Sequence, residues 1–272
     1  MPSSENLFDS LPASAAISNN LFLETEYYYL EGHIFNDDVL VVVFEPAGGE
    51  DPRLNGFRPG WGTDVFRKRR CSVLSIKPKR VNWYVTPDLE AAFLEISCFF
   101  SGFRRIVTYG VSMGGFGALC YSDTIGADSA FVFSPQTTLD PAKILDGRFP
   151  RATAWDFTTC FGDVKGRFDR LKSAYVFYDI NAPLDRLHVR RVRNARLIEI
   201  RVPGSGHSSI ELTKQCGALT MVVDFIVSGD VDLIAFYKRL RRRKNSRIYQ
   251  DEIQRQWRRR VDSHRARSTV AE

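Results

Sequence analysis

No stretch of this sequence approaches the roughly 18 consecutive apolar residues that a membrane-spanning helix needs. The longest apolar runs, Val39 to Phe44 and Ala91 to Phe100, have strand or helix length, and Glu95 and Ser97 break the second. The opening segment, MPSSENLFDSLPASAAISNN, lacks the positive charge followed by a long apolar core that marks a signal peptide. A cytoplasmic location is the expectation. Cysteine is sparse and odd in number: Cys71, Cys98, Cys120, Cys160 and Cys216 are widely spaced, with no CxxC pair. They read as reduced thiols, mostly buried, and not as a disulfide or zinc framework. Histidine is scarcer still, at four residues. There is no P-loop, no GxGxxG between a strand and a helix, no HExxH and no EF-hand loop. No metal or other cofactor is indicated.

What is present is ordinary globular material. Apolar residues make up 44% and charged residues 26%, which excludes a disordered, collagen-like or coiled-coil chain. The 272 residues suit one large α/β domain or two small ones. The charge is uneven. Between Lys238 and Arg267 stand 13 Lys or Arg against Asp251, Glu252 and Asp262, a net of +10 in a chain of net +6, so the rest carries −4. A basic pI usually invites a nucleic-acid reading of the whole molecule; here it applies only to the last thirty or so residues.

From Glu26 to Ser228 short β-rich runs alternate with segments of helical period. Strands are predicted at Glu26–Ile34, Val39–Phe44, Cys71–Ile76, Arg105–Tyr109, Ser129–Phe133, Ala174–Tyr178 and Leu197–Val202. The later runs are continuously apolar, as strands covered on both faces must be. Asn36-Asp37-Asp38 reads as the turn of an antiparallel hairpin between the first two. Helical patterns fill Pro87–Phe100, Met113–Ser122, Pro183–Val192 and Ser209–Val227. Alternating βα units imply a mostly parallel central sheet with helices on both faces. The expected division is a polar N-terminal extension (1–25), an α/β domain (26–229) and a basic amphipathic helical tail (230–272). Leu139 to Leu171, punctuated by Pro141, Gly147, Pro150, Gly162 and Gly166, is a candidate lid insertion.

The segment RIVTYGVSMGGFGAL carries Gly110-Val111-Ser112-Met113-Gly114 between a predicted strand and a predicted helix. By itself G-x-S-x-G arises by chance in roughly one chain in ten of this length. At a strand-to-helix junction of an alternating α/β chain it is a nucleophile elbow, in which a sharp turn projects the serine above the sheet. A side chain at Gly110 or Gly114 would collide with neighbouring backbone. The serine hydroxyl stands beside the helix N-terminus, whose free amides favour developing negative charge.

A serine nucleophile needs a base, and four histidines make the choice short. His33 lies in the first hairpin strand, His188 in a helix among arginines and facing solvent, and His264 in the basic tail. His207, in Val202-Pro-Gly-Ser-Gly-His-Ser-Ser209, follows the last predicted strand, where the chain order Ser…Asp/Glu…His puts the base. For the acid, Tyr178-Asp179-Ile-Asn-Ala-Pro-Leu-Asp185 offers two carboxylates. Asp179, ending its strand directly, is preferred; Asp185, in the first turn of the next helix, is the alternative. The oxyanion donors would be the Met113 amide and one from Phe44-Glu-Pro-Ala-Gly-Gly49. Pro46 has no N–H, so Ala47 is the candidate, with Gly48 behind it. Trp61, Trp83, Tyr84 and Trp155 are candidates for a pocket lining or for core, and Gln136 for a place at the site.

These residues resemble the α/β-hydrolase superfamily over roughly Val39 to Ser228: the strand order, GVSMGG at Ser112, the acid-bearing loop at Asp179 and SGHSS at His207. The resemblance implies an eight-stranded sheet, a Ser-Asp-His triad and acyl-enzyme chemistry. Two positions depart from the family pattern. The oxyanion loop reads Glu-Pro-Ala-Gly-Gly in place of the usual His-Gly, and Ala182 stands where an Asp three residues past the strand end would be.

The expected function is therefore a serine hydrolase of esters or thioesters, with a small-molecule acyl substrate, Ser112 as nucleophile, His207 as base and Asp179 as acid. An acyltransferase with the same triad is the alternative. A third reading is a non-catalytic hydrolase-like module acting through its tail. There Tyr249, Ile253, Trp257 and Val261 recur every four residues among arginines. Such a basic face over 238–267 suits an anionic membrane surface, RNA or an acidic protein, or docks on its own domain. The catalytic reading predicts that this tail is dispensable for turnover.

Overall fold

The computed structural model describes residues 20–48, 58–165, 168–192 and 196–269. Among these residues eight strands form one sheet: β1 (Asn20–Glu24), β2 (Tyr28–His33), β3 (Val39–Phe44), β4 (Ser72–Pro78), β5 (Arg105–Val111), β6 (Ser129–Phe133), β7 (Ser173–Tyr178) and β8 (Arg196–Arg201). Their order is β1-β2-β4-β3-β5-β6-β7-β8. The β1–β2 and β2–β4 pairs are antiparallel and all others parallel. The mostly parallel sheet with an N-terminal antiparallel hairpin is as expected.

Around the sheet lie α1 (Thr63–Arg67), α2 (Asp88–Glu95), α3 (Ser97–Ser101), α4 (Met113–Cys120), α5 (Pro183–Val189), α6 (Ser209–Gln215), α7 (Leu219–Ser228), α8 (Leu233–Leu240) and α9 (Arg247–Thr269). Successive strand residues face opposite sides, so a strand covered twice is apolar on both faces at most of its positions. In β3, Leu40, Val42 and Phe44 enter a core with residues of α2, α3 and α4, while Val41 and Val43 enter a second core with residues of α1, α6, α7 and α8.

Four expectations are corrected. Asn36 to Asp38 does turn the chain, with Asp38 N–H on Asn36 Oδ1 at 3.1 Å, but it joins no hairpin. Ser72 Oγ, at the start of β4, accepts from the Phe35 and Asn36 amides and donates to Asn36 O, which seats β4 between β2 and β3. The hairpin partner of β2 is β1. The residues of β1 fall within the segment expected as an extension; Leu21 and Leu23 pack on the first core while alternate residues stay exposed. The pattern over Ser209–Val227 is two helices, parted at Gly217, whose φ of 68° is the left-handed conformation glycine adopts freely. Finally, the tail is not an appendage from 230 on. Asp232 caps α8 through Ala235 N–H at 2.9 Å, and Phe236 and Leu240 are fully buried in the second core.

The lid candidate 139–171 contains a short 3₁₀ helix, Pro150–Ala154, and plants Phe157, Phe161 and Val164 in the first core. It also sends residues to the site described next.

Candidate active site

At the end of β5 the chain reverses into α4 within one residue. Ser112 holds φ 55°, ψ −116°, a strained combination for a side chain with a Cβ. The neighbouring turns of backbone hold it there: Ser112 N–H donates to Phe133 O at 2.9 Å, and Ser112 O accepts from Phe116 N–H at 3.0 Å. A Cβ at Gly110 would strike the Gly114 carbonyl, and one at Gly114 the carbonyls of Phe44 and Glu45. Only glycines let β5, α4 and the end of β3 approach so closely.

Ser112 Oγ lies 2.9 Å from His207 Nε2, and His207 Nδ1 lies 3.0 Å from both carboxylate oxygens of Asp185. These three side chains, from the β5–α4 turn, the β8–α6 loop and the first turn of α5, form one line. Asp185 is buried at 1% exposure. Burial opposes its ionisation, but hydrogen bonds and charge from His207 and Arg148 outweigh that and hold its carboxyl below the usual range. Arg148 Nη1, from the 139–171 insertion, is 2.7 Å from Asp185 Oδ1, and the adjacent Phe149 ring packs 5.5 Å from the imidazole.

The preference for Asp179 at the imidazole is corrected. Asp179 Oδ2 accepts from the Gly204 and Gly206 amides, each at 2.9 Å, and Oδ1 from the Asn181 amide at 2.9 Å. Its carboxylate is thus spent on the backbone of the loop that carries His207. Burial pushes this carboxyl up in pKa, with those amides opposing and Glu252 adding to the rise. His188 is corrected too. It is fully buried, its Nδ1 accepting from Thr137 N–H at 3.1 Å and its Nε2 lying 3.2 Å from Asp146 Oδ2. His33 is at the sheet's antiparallel end, 3.2 Å from Glu31, and the His264 side chain lies outside the described residues.

Gln136, fully buried past the end of β6, also reaches Ser112: Nε2 is 3.0 Å from Ser112 Oγ. Trp83 Nε1, a donor only, meets Gln136 Oε1 at 3.2 Å. That contact sets the amide so that its NH₂ faces Ser112. Ser112 Oγ therefore accepts from Gln136 and keeps its own proton for His207. Trp83 and Tyr84 both have positive φ, 48° and 57°, in a turn held by Tyr84 N–H on Asn82 Oδ1 at 3.0 Å. Of the four aromatic candidates only Trp83 touches the site in this way. Tyr84 bonds Glu45 O, Trp61 stacks on Tyr109, and Trp155 bonds Val81 O.

Met113 is buried at the first position of α4. The end of β3 rests on Gly114, and Ala47 and Gly48 lie two and three residues beyond Glu45, both exposed. Buried Glu45 ties down the far side of this loop through Arg58 and the Trp61 amide at 2.8 Å. Gly49 lies outside the described residues.

No family model matches the chain, and no curated protein sequence does. Solved structures match its fold. The FE-lacking apo form of ESTFA superposes with a TM-score of 0.51 at 16% identity, over 75% of this chain and 81% of that one. The fold is that of the α/β hydrolases. Carboxyl esterase 2 from the mycorrhizal fungus Tuber melanosporum covers 86% of this chain and 89% of its own at 14% identity, TM-score 0.49. The capsule O-acetyltransferase of Neisseria meningitidis serogroup A covers 75% and 94% at 12% identity, TM-score 0.49. Among the described residues no helix is long and apolar enough to cross a membrane.

The basic segment is where sequence reasoning missed most. Helix α9 lies on the histidine loop: Tyr249 packs on Gly204, Glu252 on Gly206, and Gln256 Nε2 is 3.1 Å from Glu252 Oε1. The inward face is thus Tyr249, Glu252 and Gln256, while Ile253 and Trp257 of the apolar stripe are 40% and 67% exposed. Arg148, Ala182, Leu184, His207, Arg255 and Arg259 are among the residues that line a depression of about 170 Å³ beside the imidazole. A separate depression of about 250 Å³, lined by Gln215, Arg242, Asn245, Ser246 and Arg247, includes neither Ser112 nor His207.

Proposed function

We propose that the protein is a serine hydrolase that cleaves carboxylic esters or thioesters through an acyl-enzyme, with Ser112 as nucleophile, His207 as base and Asp185 as acid. The observation that carries this reading is the unbroken line Asp185–His207–Ser112. Asp185 holds the Nδ1–H tautomer, which leaves Nε2 free to accept the serine proton as Oγ attacks the acyl carbon. The tetrahedral oxyanion would be held by the Met113 amide and by the Ala47 amide, with Gly48 next in line; one such donor is worth about 3 kcal/mol. Collapse expels the alcohol or thiol, which takes the proton from His207. Water then attacks the acyl-serine with His207 again as base. If an alcohol enters in place of water, the same steps make an ester and the protein is an acyltransferase.

The test is covalent labelling of the purified protein with a fluorophosphonate, followed by intact mass and peptide mapping. Rapid single-site labelling at Ser112 is expected. A folded protein that takes no label would overturn the catalytic reading and leave a hydrolase-like binding module.

The orientation of Gln136 supplies a second expectation. Gln136→Ala removes a donor that helps aim Oγ, and should slow labelling about tenfold, as the loss of one hydrogen bond of roughly 1.4 kcal/mol does. Gln136→Glu should slow it further, because a carboxylate at that place accepts the serine proton in competition with His207. Labelling kinetics of the two variants at neutral pH decide it; Glu faster than Ala would refute the assignment.

A further inference from the structure

We propose that the leaving-group side of the substrate carries a negatively charged group, a phosphate or a carboxylate, bound by Arg255 and Arg259 of α9. This rests on the triad reading above. When the tetrahedral intermediate collapses, the departing oxygen or sulfur must lie against His207 Nε2 to receive its proton. Whatever is attached to that atom therefore extends along the wall that His207 shares. Neither Ser112, Met113 nor Ala47 lines the 170 Å³ depression; His207 does, with Ala182 and Leu184 as apolar surface.

The charge of that wall sets the chemistry. Three guanidinium groups and one carboxylate, Glu252, line it. Arg148 is already bonded to Asp146 and Asp185, and Arg255 lies 3.2 Å from Glu252. Among the described residues no ion pair includes Arg259. Glu252 is itself buried, packed on Gly206 and bonded by Gln256, so it is turned toward the histidine loop. Arg255 and Arg259, four residues apart, stand on one face of α9, where like charges repel unless an anion lies between them. A guanidinium pair beside a half-buried imidazole is a site for planar or tetrahedral oxyanions. The volume, about that of five or six waters, admits a small charged group and not a polymer. The basic tail then belongs to the active site, against the expectation that it is dispensable.

Two measurements test this. With Ser112→Ala protein, which lacks the attacking hydroxyl, phenyl phosphate and benzoate, neither of which carries a carboxylic ester or thioester, are titrated by NMR at low salt. Saturable binding, weakened at least tenfold in the Arg255→Gln/Arg259→Gln background, is expected, and the tighter of the two probes names the anion. No saturable binding of either, or binding indifferent to the double substitution, overturns the inference. With active protein, 4-acetoxybenzoate is compared with its neutral methyl ester. The ratio of kcat/KM, anionic over neutral, should fall at least tenfold in the double variant. An equal fall for both esters would assign the arginines to seating α9 instead. Fluorophosphonate labelling of each protein separates the cases: labelled protein without the anion effect sinks only this inference, and unlabelled protein sinks the hydrolase reading, while the titration still decides anion binding.

Discussion

Asp185→Asn should lower kcat about 10⁴-fold with little change in fold, the loss expected when the wrong imidazole tautomer is stabilised. The neighbouring arginine dictates the result. Arg148 Nη1 donates to Asp185 Oδ1 at 2.7 Å and can only donate. In the variant it draws the asparagine oxygen toward itself and leaves the NH₂ facing His207 Nδ1. That nitrogen must then accept, so the imidazole proton moves to Nε2, where it blocks proton transfer from Ser112. Low pH cannot substitute for the mutation, because the Asp185 carboxyl is held below the usual range and stays charged in any ordinary assay. Steady-state kinetics on an activated ester, with circular dichroism as a fold check, measure the effect. A loss under a hundredfold would remove Asp185 from the role of acid.

Asp179→Asn makes the control. Its oxygen would turn to the two glycine amides, leaving its NH₂ against the Asn181 N–H and one buried donor unpaired. The cost falls on stability, about 1–3 kcal/mol, and turnover should change by less than about tenfold. Were the two variants to behave the other way round, the histidine loop would have to be arranged differently from what is described here.

That contrast shows where sequence stops being legible. Ser112 and His207 are set by local constraints: glycines that admit close backbone, a strand-to-helix turn, and a loop after the last strand. Choosing between Asp179 and Asp185 depends instead on the path of the five intervening residues, which no periodicity encodes. Two signals did exist. Asp-x-Asn at 179–181 is an Asx-turn pattern, and Gly204 and Gly206 present amides that need an acceptor. Strands β3, β5 and β6 were readable to within two residues because double-sided burial favours apolar residues on both faces and so gives nearly continuous apolar runs. β1 was not, because an edge strand buries only alternate residues, and the pairing of β2 with β4 is a long-range choice invisible in either strand. Helix α9 misled for a related reason. Its inward face is Tyr249, Glu252 and Gln256, held by hydrogen bonds and a glycine-lined surface, so an apolar period points to the wrong side.

The largest expected losses are those of Ser112→Ala and His207→Ala, and their combination says more than either alone. Each should reduce kcat by about 10⁶-fold, near 8 kcal/mol at the transition state. If they acted independently, the double variant would lose about 10¹²-fold and fall below the uncatalysed reaction. It should instead lose no more than either single, because the imidazole has no proton to take once the hydroxyl is gone. What remains in all three is the contribution of the oxyanion amides and substrate binding, roughly 10³–10⁴ over water. Residual rates must be measured on protein free of wild-type contamination, with fluorophosphonate labelling as the check. A double variant markedly worse than both singles would mean that His207 assists by a route other than Ser112, for instance by activating water directly, and that the acyl-enzyme is not the path.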